Sequence, residues 1–535
     1  MVRTNAEITS DLVNVRTYLG VEFGSTRIKA VLIDSTFQTI ASGGYEWENE
    51  LKNGFWTYPL EKIWEGLRVS YATMAAEVYE KYGITLVKIG GIGISAMMHG
   101  YMVFDKSEQL LVPFRTWRNA TTTKAAQRLT ELFNYNIPER WSIAHLYQAI
   151  LNQEKHVSEI DYLTTLAGFI HWQLTGEKVL GVGDASGMFP ISDTGQTYNP
   201  NFVEAFEQLA KKSDVSIDLT SILPKVLKAG ERAGFLTEQG ARLLDPMGNL
   251  KAGIPFCAPE GDAETGMVAT NSVEIRTGNI SVGTSAFAMI VLEKNLTEVH
   301  SEIDLVMTPN GHLVGMVHAN NCSSDINAWV KLFEEFTISL GLTLSREKIF
   351  SVLFNKALEA DKDLGGLLTY GYFSGENITK VSEGRPLFIR QPNSHFNLAN
   401  FMKAHIASSF GAIRVGMDIL QQEGIEVDGM VGHGGLFKTK EVGQRILASA
   451  VQTPITVMET AAEGGAWGMA ILAAFEESDA SDLDYFLKNG VFSEVKSVTV
   501  APTQEEIESY DIFIKRYLNG LDIERESIRI WNEVV

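Results

Sequence analysis

The chain runs to 535 residues, too long for one ordinary hydrophobic core, so two large domains are expected. Its 45% hydrophobic and 21% charged residues are the balance of a globular protein, not a disordered one. A formal charge of −21 argues against general binding to nucleic acid or to an anionic membrane surface, and the two cysteines, Cys257 and Cys322, exclude a disulfide scaffold and a cysteine-rich zinc site.

In chain order, the first fifteen residues carry Arg3, Glu7, Asp11 and Asn14 and no apolar stretch of the kind a secretory signal needs. No run approaches the length of a membrane span, so a cytoplasmic protein is expected. Residues 18–34 and 37–47 read as strands, Leu60 to Tyr82 as a helix with Ile63, Leu67, Tyr71, Met74 and Val78 on one face, and Val87–Ser95 as a buried strand. Helical spacing recurs over Thr123–Phe133, Ser142–Glu154 and Tyr162–Leu174, and Leu236 to Lys251 reads as a helix and turn. Strand character returns at Ile254–Ala258 and continues past residue 277; Val314–Ala319 then reads as a strand and Ser323–Phe336 as a helix. Leu398 to Leu420 has one long helical pattern, and Thr503 to Asn519 another. The pattern is α/β with mixed sheets, divided into domains at 15–265 and 266–535.

Two segments share a plan. Tyr18 to Asp34 is a β-prone run, then Gly24-Ser25-Thr26, then a second β-prone run; Gly278 to Val291 repeats it around Gly283-Thr284-Ser285. Each is a hairpin signature whose glycine lets a phosphate approach backbone N–H groups and hydroxyls. A third glycine-rich turn, Gly432-His433-Gly434-Gly435 running on to Thr439, lies where a strand meets the helix Val442–Ala450, a place where adenosine can lie flat on backbone.

Taken together and in order, these pieces resemble the FGGY family of carbohydrate kinases over about residues 18–475. The further matching pieces are Met98-His99-Gly100, Trp117, Leu174-Thr175-Gly176 with Asp184-Ala185-Ser186-Gly187, Gly261-Asp262, Ser374-Gly375-Glu376, and Glu463 through Gly468. The resemblance implies two actin-like (ribonuclease H-like) domains with an ATP cleft between them. It also implies ATP and Mg2+ as cofactors, a small-molecule sugar as substrate, and Asp262 as catalytic base.

On the chemistry of the residues alone, Glu260 and Glu264 compete with Asp262 for that role. By the resemblance, Gly24, Ser25, Thr26, Gly283, Thr284 and Ser285 face the phosphates, and Gly434, Gly435 and Thr439 take the adenosine side. Glu22 and Asp262 lie near magnesium, and Met98, His99, Trp117 and Asp262 line the sugar site. The Met-His-Gly segment resembles that of xylulokinases and gluconate kinases, so a ketopentose such as xylulose is the expected substrate, with ribulose, gluconate or a related open-chain sugar as alternatives. Trp117 reads equally as a stacking platform or a core residue, and Lys29 as a phosphate ligand or a packed strand residue.

Three departures stand out: Glu22 where the family usually has Asp, Pro259-Glu260 where it tends to glycine, and Lys403-Ala404-His405 where many members have Arg-Ala and an acidic stretch. A reading from another class, a non-enzymatic actin-like ATP-binding scaffold, would not need Gly261-Asp262 or Met98-His99-Gly100. A homodimer is left open.

Overall fold

A computed structural model describes residues 3–439, 441–460 and 464–534, without the side chains of 533 and 534. The chain forms two compact units: Met1–Val273 with Asp304–Val314 and Glu463–Glu494, and Glu274–Ile303 with Gly315–Ala462 and Val495–Val535. The changeover falls at Val273/Glu274; position 265/266 lies inside the helix Asp262–Ala269.

The sheet of the first unit runs Arg232–Phe235, Pro255–Cys257, Gly91–Ala96, Tyr18–Phe23, Arg27–Ile33, Thr39–Glu46, with Glu260–Gly261 also paired to Gly91–Ala96. Tyr18–Phe23 is parallel to Gly91–Ala96 and antiparallel to Arg27–Ile33, so the sheet is mixed. Leu19, Val21, Phe23, Ile28, Ala30 and Leu32 are fully buried and form its core with Ile92 and Ile94.

The second unit repeats the plan. Thr277–Val282 is antiparallel to Ala286–Val291 and parallel to Gly429–Gly434, which is in turn parallel to Ile455–Met458, with Ser497–Val500 antiparallel at the edge. In each unit the first strand of a hairpin therefore lies beside a parallel strand: Phe23 sits opposite Ala96, and Val282 opposite Gly434. The residues that follow these pairs emerge together at the strand ends, where open α/β sheets place their ligands.

Local chemistry explains the boundaries. The helix Leu60–Tyr82 follows Pro59 and stops at Gly83, whose left-handed backbone lets its N–H cap the Tyr79 carbonyl. The expected helix Tyr162–Leu174 is instead a strand, Tyr162–Thr164, paired with Met102–Phe104, and then a helix, Leu166–Thr175, begun by the Thr165 side chain accepting from Gly168 N–H. An apolar run such as this one does not by itself separate strand from buried helix.

The strand expected at Val87–Ser95 begins only at Gly91, since Val87 is exposed. The pattern at Leu398–Leu420 is two helices, Leu398–Ser408 and Gly411–Gln422. The break comes where Ser408 donates to the Thr369 carbonyl and Ser409 to that of Ile406, side-chain bonds that compete with the helix ladder. A helix not expected from sequence, Leu521–Val534, ends the chain. No helix among the described residues is long and apolar enough to cross a membrane.

Candidate active site

The strand ends of the first unit carry most of the expected site residues. The hairpin tip Gly24-Ser25-Thr26 is closed by Gly24 N–H donating to the Arg27 carbonyl at 3.0 Å. It is held by aromatic donors: Trp47 Nε1 to the Gly24 carbonyl at 2.7 Å and Tyr58 OH to the Ser25 carbonyl at 2.6 Å, the two rings stacked at 4.1 Å. Trp117 is 39% exposed, so it is no core residue, and its Nε1 donates to Ser25 Oγ at 3.2 Å. Its neighbours are structural. Asn119 is buried and bonds both backbone groups of Trp56, while the Arg118 guanidinium lies 3.9 Å over the Trp56 ring.

Register places three acidic positions around one strand end. Glu22 and Glu260 both pair with Ser95, from opposite sides of Gly91–Ala96, and Asp262 opens the following helix. Glu22 also pairs with Lys29, whose charge favours its ionised form. The Glu22 carboxylate reaches the helix Gly465–Glu476 and accepts from Ala466 N–H at 3.0 Å. A β-carbon on Gly465 would lie 2.8 Å from both Glu22 Oε1 and Thr265 Oγ1, so glycine there permits the close approach. This explains Glu22 in place of Asp: the longer side chain spans to a helix terminus, whose free N–H groups favour an anion. Burial nevertheless pushes the Glu22 carboxyl above its ordinary range.

The three candidate bases separate by surroundings. Glu260 is 1% exposed and turned inward, accepting from Asp184 N–H at 2.8 Å and Gly183 N–H at 3.3 Å. Glu264 is wholly buried, with neither carboxyl oxygen hydrogen-bonded. Only Asp262 keeps open surface, and its Oδ1 accepts from Met98 N–H at 3.4 Å. Burial first, and then the Glu22 charge, push Asp262 up to about 7. Burial likewise raises Asp184 to about 7 and Glu260 to about 8. Asp184 and Glu264 belong to this carboxyl group; the sequence offers Glu264 only as a competitor for the base, and Asp184 only as part of the Asp184-Ala185-Ser186-Gly187 segment.

His99 follows directly. Its backbone is left-handed, φ 66°, as is that of Gly100, an uncommon conformation for a residue other than glycine. Its Nδ1 lies 3.1 Å from the Gly187 carbonyl, which can only accept, so the proton sits on Nδ1 and Nε2 is left as the acceptor. Desolvation holds the imidazole neutral, its pKa lowered to about 3. A β-carbon on Gly187 would come within 2.6 Å of Nδ1, which accounts for a glycine in Asp184-Ala185-Ser186-Gly187. Met98 and His99 are thus gathered with Asp262, and Trp117 with the hairpin tip.

In the second unit, Gly283 N–H donates to the Ser285 carbonyl at 2.9 Å, and the tip is tied to the next helix by Ser323 Oγ donating to the Gly283 carbonyl at 2.6 Å and Cys322 N–H to that of Thr284 at 2.9 Å. Gly434 lies beside Val282, ahead of the tip, and Thr439 lies in the bend after the short turn Gly435–Phe437. A β-carbon on Gly283 would meet only the Ser285 carbonyl, at 3.7 Å, and one on Gly435 would meet nothing within 4 Å. That is open backbone of the kind a polyphosphate and a nucleoside need. Glu376 is buried and accepts from Asn320 and Asn321 N–H, a loop-holding role. Glu463 lies outside the described residues.

Two domains of matching plan, each with a glycine–hydroxyl hairpin at the strand ends, define an actin-like kinase fold. Family comparison agrees: residues 17–269 match the N-terminal domain and residues 278–477 the C-terminal domain of the "FGGY family of carbohydrate kinases". The chain belongs to that family, and it is a sugar kinase. It is 21% identical to a xylulose kinase of Haemophilus influenzae over 94% of this chain and 99% of that one. Among solved structures, a ligand-bound xylulose kinase from Lactobacillus acidophilus superposes with a TM-score of 0.76 at 16% identity, covering 96% of this chain and 99% of that one. A gluconate kinase from the same species superposes with 0.74 at 16% identity, covering 95% and 98%.

FGGY kinases use ATP, generally with magnesium. Among the described residues no group of three or more His, Cys, Asp or Glu could hold a metal ion by itself. The pair Glu22 and Asp262 suits magnesium, which is commonly bound by one or two carboxylates, water and substrate phosphates. The Glu22 charge, after burial, raises the proton affinity of Asp262, and a dication between them would offset that repulsion.

Proposed function

We propose that the protein transfers the γ-phosphoryl group of ATP to a terminal primary hydroxyl of a ketopentose, xylulose or a close open-chain relative, with Asp262 as base. The observation that carries this reading is the separation of the three carboxyls: Asp262 alone faces open surface, directly beside Met98-His99. Asp262 accepts the hydroxyl proton as the sugar oxygen attacks phosphorus and the bond to the ADP oxygen breaks. His99 Nε2, lacking a proton, accepts from a second sugar hydroxyl and orients the chain, while Met98 covers its apolar side. The tips Gly24-Ser25-Thr26 and Gly283-Thr284-Ser285 hold phosphate oxygens through N–H and hydroxyl donors, and Gly434, Gly435 and Thr439 receive the adenosine. Magnesium held by Glu22 and Asp262 would neutralise charge on the phosphates.

Relatives named xylulose kinase support the pentulose reading over the alternatives. A panel of D- and L-ketopentoses, gluconate and glycerol, assayed for sugar-dependent ADP release, tests it. The highest kcat/KM is expected on a ketopentose. Turnover of gluconate or glycerol with no ketopentose turnover would refute the substrate assignment, and ATP consumption indifferent to every sugar would refute the kinase site.

A further inference from the structure

The two hairpin tips use their own carbonyls alike and hold them by unlike means. In the first unit the Gly24 and Ser25 carbonyls accept from Trp47 Nε1 and Tyr58 OH, rings that are themselves buried. In the second, the corresponding Gly283 carbonyl accepts from Ser323 N–H at 3.1 Å and Ser323 Oγ at 2.6 Å, and that of Thr284 from Cys322 N–H at 2.9 Å. The same two positions are thus tied inward twice, by ring donors in one unit and mostly by backbone in the other. A packing need peculiar to either unit does not explain that repeat, whereas a shared ligand does. An outward carbonyl oxygen repels a phosphate, and tying it inward leaves the N–H and hydroxyl donors of the tip outward. Accordingly Gly283 and Thr284 are exposed, and the N–H groups of Thr284 and Ser285 donate to no protein atom among the described residues.

The ties differ in their support. Trp47 and Tyr58 belong to the core of the first unit. Cys322 and Ser323 lie instead in the bend 320–323, between the strand Leu313–Ala319 and the helix Ser324–Ser339. The helix side of that bend is fixed by Asp325, whose carboxylate accepts from His405 Nδ1 at 2.8 Å. Its strand side is fixed by Asn321, which is 7% exposed. Asn321 Oδ1 accepts from Phe373 N–H at 2.9 Å and Ser374 N–H at 3.0 Å, and Nδ2 donates to the Ser374 carbonyl at 3.1 Å. Glu376 Oε2 completes the bracket, accepting from Asn320 N–H at 2.8 Å and Asn321 N–H at 3.2 Å. Accepting two N–H groups while donating to a carbonyl is work only a side-chain amide can do at this position.

We propose that Asn321 is a positioning residue for phosphoryl transfer: bracketed on residues 373–376, it keeps Cys322 and Ser323 against the Gly283 and Thr284 carbonyls and so aims the tip's donors at the nucleotide phosphates. The inference rests on the reading of Gly283-Thr284-Ser285 as a phosphate tip.

Steady-state kinetics of Asn321→Ala, Ser323→Ala and the double variant, with ATP and sugar varied separately, test it. Asn321→Ala is expected to raise the ATP KM about tenfold or more and to leave the sugar KM within about twofold. A merely structural role would lower the unfolding midpoint and the active fraction without splitting the two KM values. Both changes loosen one tie, so the double variant should raise the ATP KM by less than the product of the single effects. A folded Asn321→Ala enzyme with wild-type ATP KM, an equal rise in both KM values, or single effects that simply multiply overturns the proposal. Should Asn321→Ala fail to fold, Ser323→Ala decides, because its hydroxyl caps no helix N–H and its loss removes only the tie; an unchanged ATP KM there overturns the proposal. Those results in an enzyme that phosphorylates sugar with ATP refute the positioning role alone, whereas a wild type that turns over no ATP refutes the phosphate-tip reading and the positioning role together.

Discussion

Two adjacent glycines in the second unit give opposite expectations for the same substitution. Gly434 has φ 119° and ψ −175°, a region open essentially to glycine alone, and a β-carbon there would fall on the Val282 carbonyl of the neighbouring strand. Gly434→Ala should therefore cost about 1–3 kcal/mol from conformation alone, with the displaced strand contact added. At about 2–4 °C per kcal/mol for a domain of this size, the unfolding midpoint should fall by about 2–12 °C. Gly435→Ala meets nothing within 4 Å, so stability should stay within about 0.5 kcal/mol.

If that open side receives the nucleotide, the added methyl overpacks the complex by about 1–3 kcal/mol and raises the ATP KM by about 5- to 150-fold. Thermal unfolding of both variants, with ATP titrations at saturating sugar, separates the effects. A Gly435→Ala enzyme with wild-type ATP KM would refute the assignment of that space to nucleotide, and a Gly434→Ala enzyme of unchanged midpoint would refute the conformational argument.

Other expectations follow from the first unit. Glu22→Asp withdraws the carboxylate from Ala466 N–H, a charge-assisted bond at 3.0 Å worth about 1.5–3 kcal/mol, so the midpoint should fall and the magnesium requirement rise; a chain as stable as wild type would show that the bond contributes nothing. Asp184 and Glu260, at about 7 and 8 when folded against 3.8 and 4.5 ordinarily, hold protons that the unfolded chain has released. Their contribution to stability is full below about pH 4 and is lost as pH rises through 7 and 8, and Glu260→Gln should flatten that decline in urea titrations between pH 5 and 8. His99→Asn, a residue that tolerates the left-handed backbone, should raise the sugar KM at least about tenfold while the ATP KM holds; a rise in both would point to a collapsed strand end instead.

What the sequence made legible was local. Leu60–Tyr82 appears with the expected ends because Pro59 opens it, Gly83 closes it, and Ile63, Leu67, Tyr71, Met74 and Val78 are the buried stripe. Both hairpins appear for the same kind of reason, a glycine tip between β-prone runs. The choice among Glu260, Asp262 and Glu264 was not legible from composition, since it depends on which carboxyl the fold turns toward Gly183 and Asp184 and which it leaves open. Nor was the partner of Glu22, which lies 444 residues away at Ala466; small residues at Gly465, Ala466 and Gly468 signal close packing but not its object.

Single-turnover phosphorylation by Asp262→Asn tests most directly whether Asp262 is the base. The amide keeps shape and can still accept from Met98 N–H, but it cannot take the sugar proton. The transfer rate should fall by about 10²- to 10⁴-fold while ATP still raises the unfolding midpoint. Near-normal transfer by that variant would contradict the assignment of Asp262 as base.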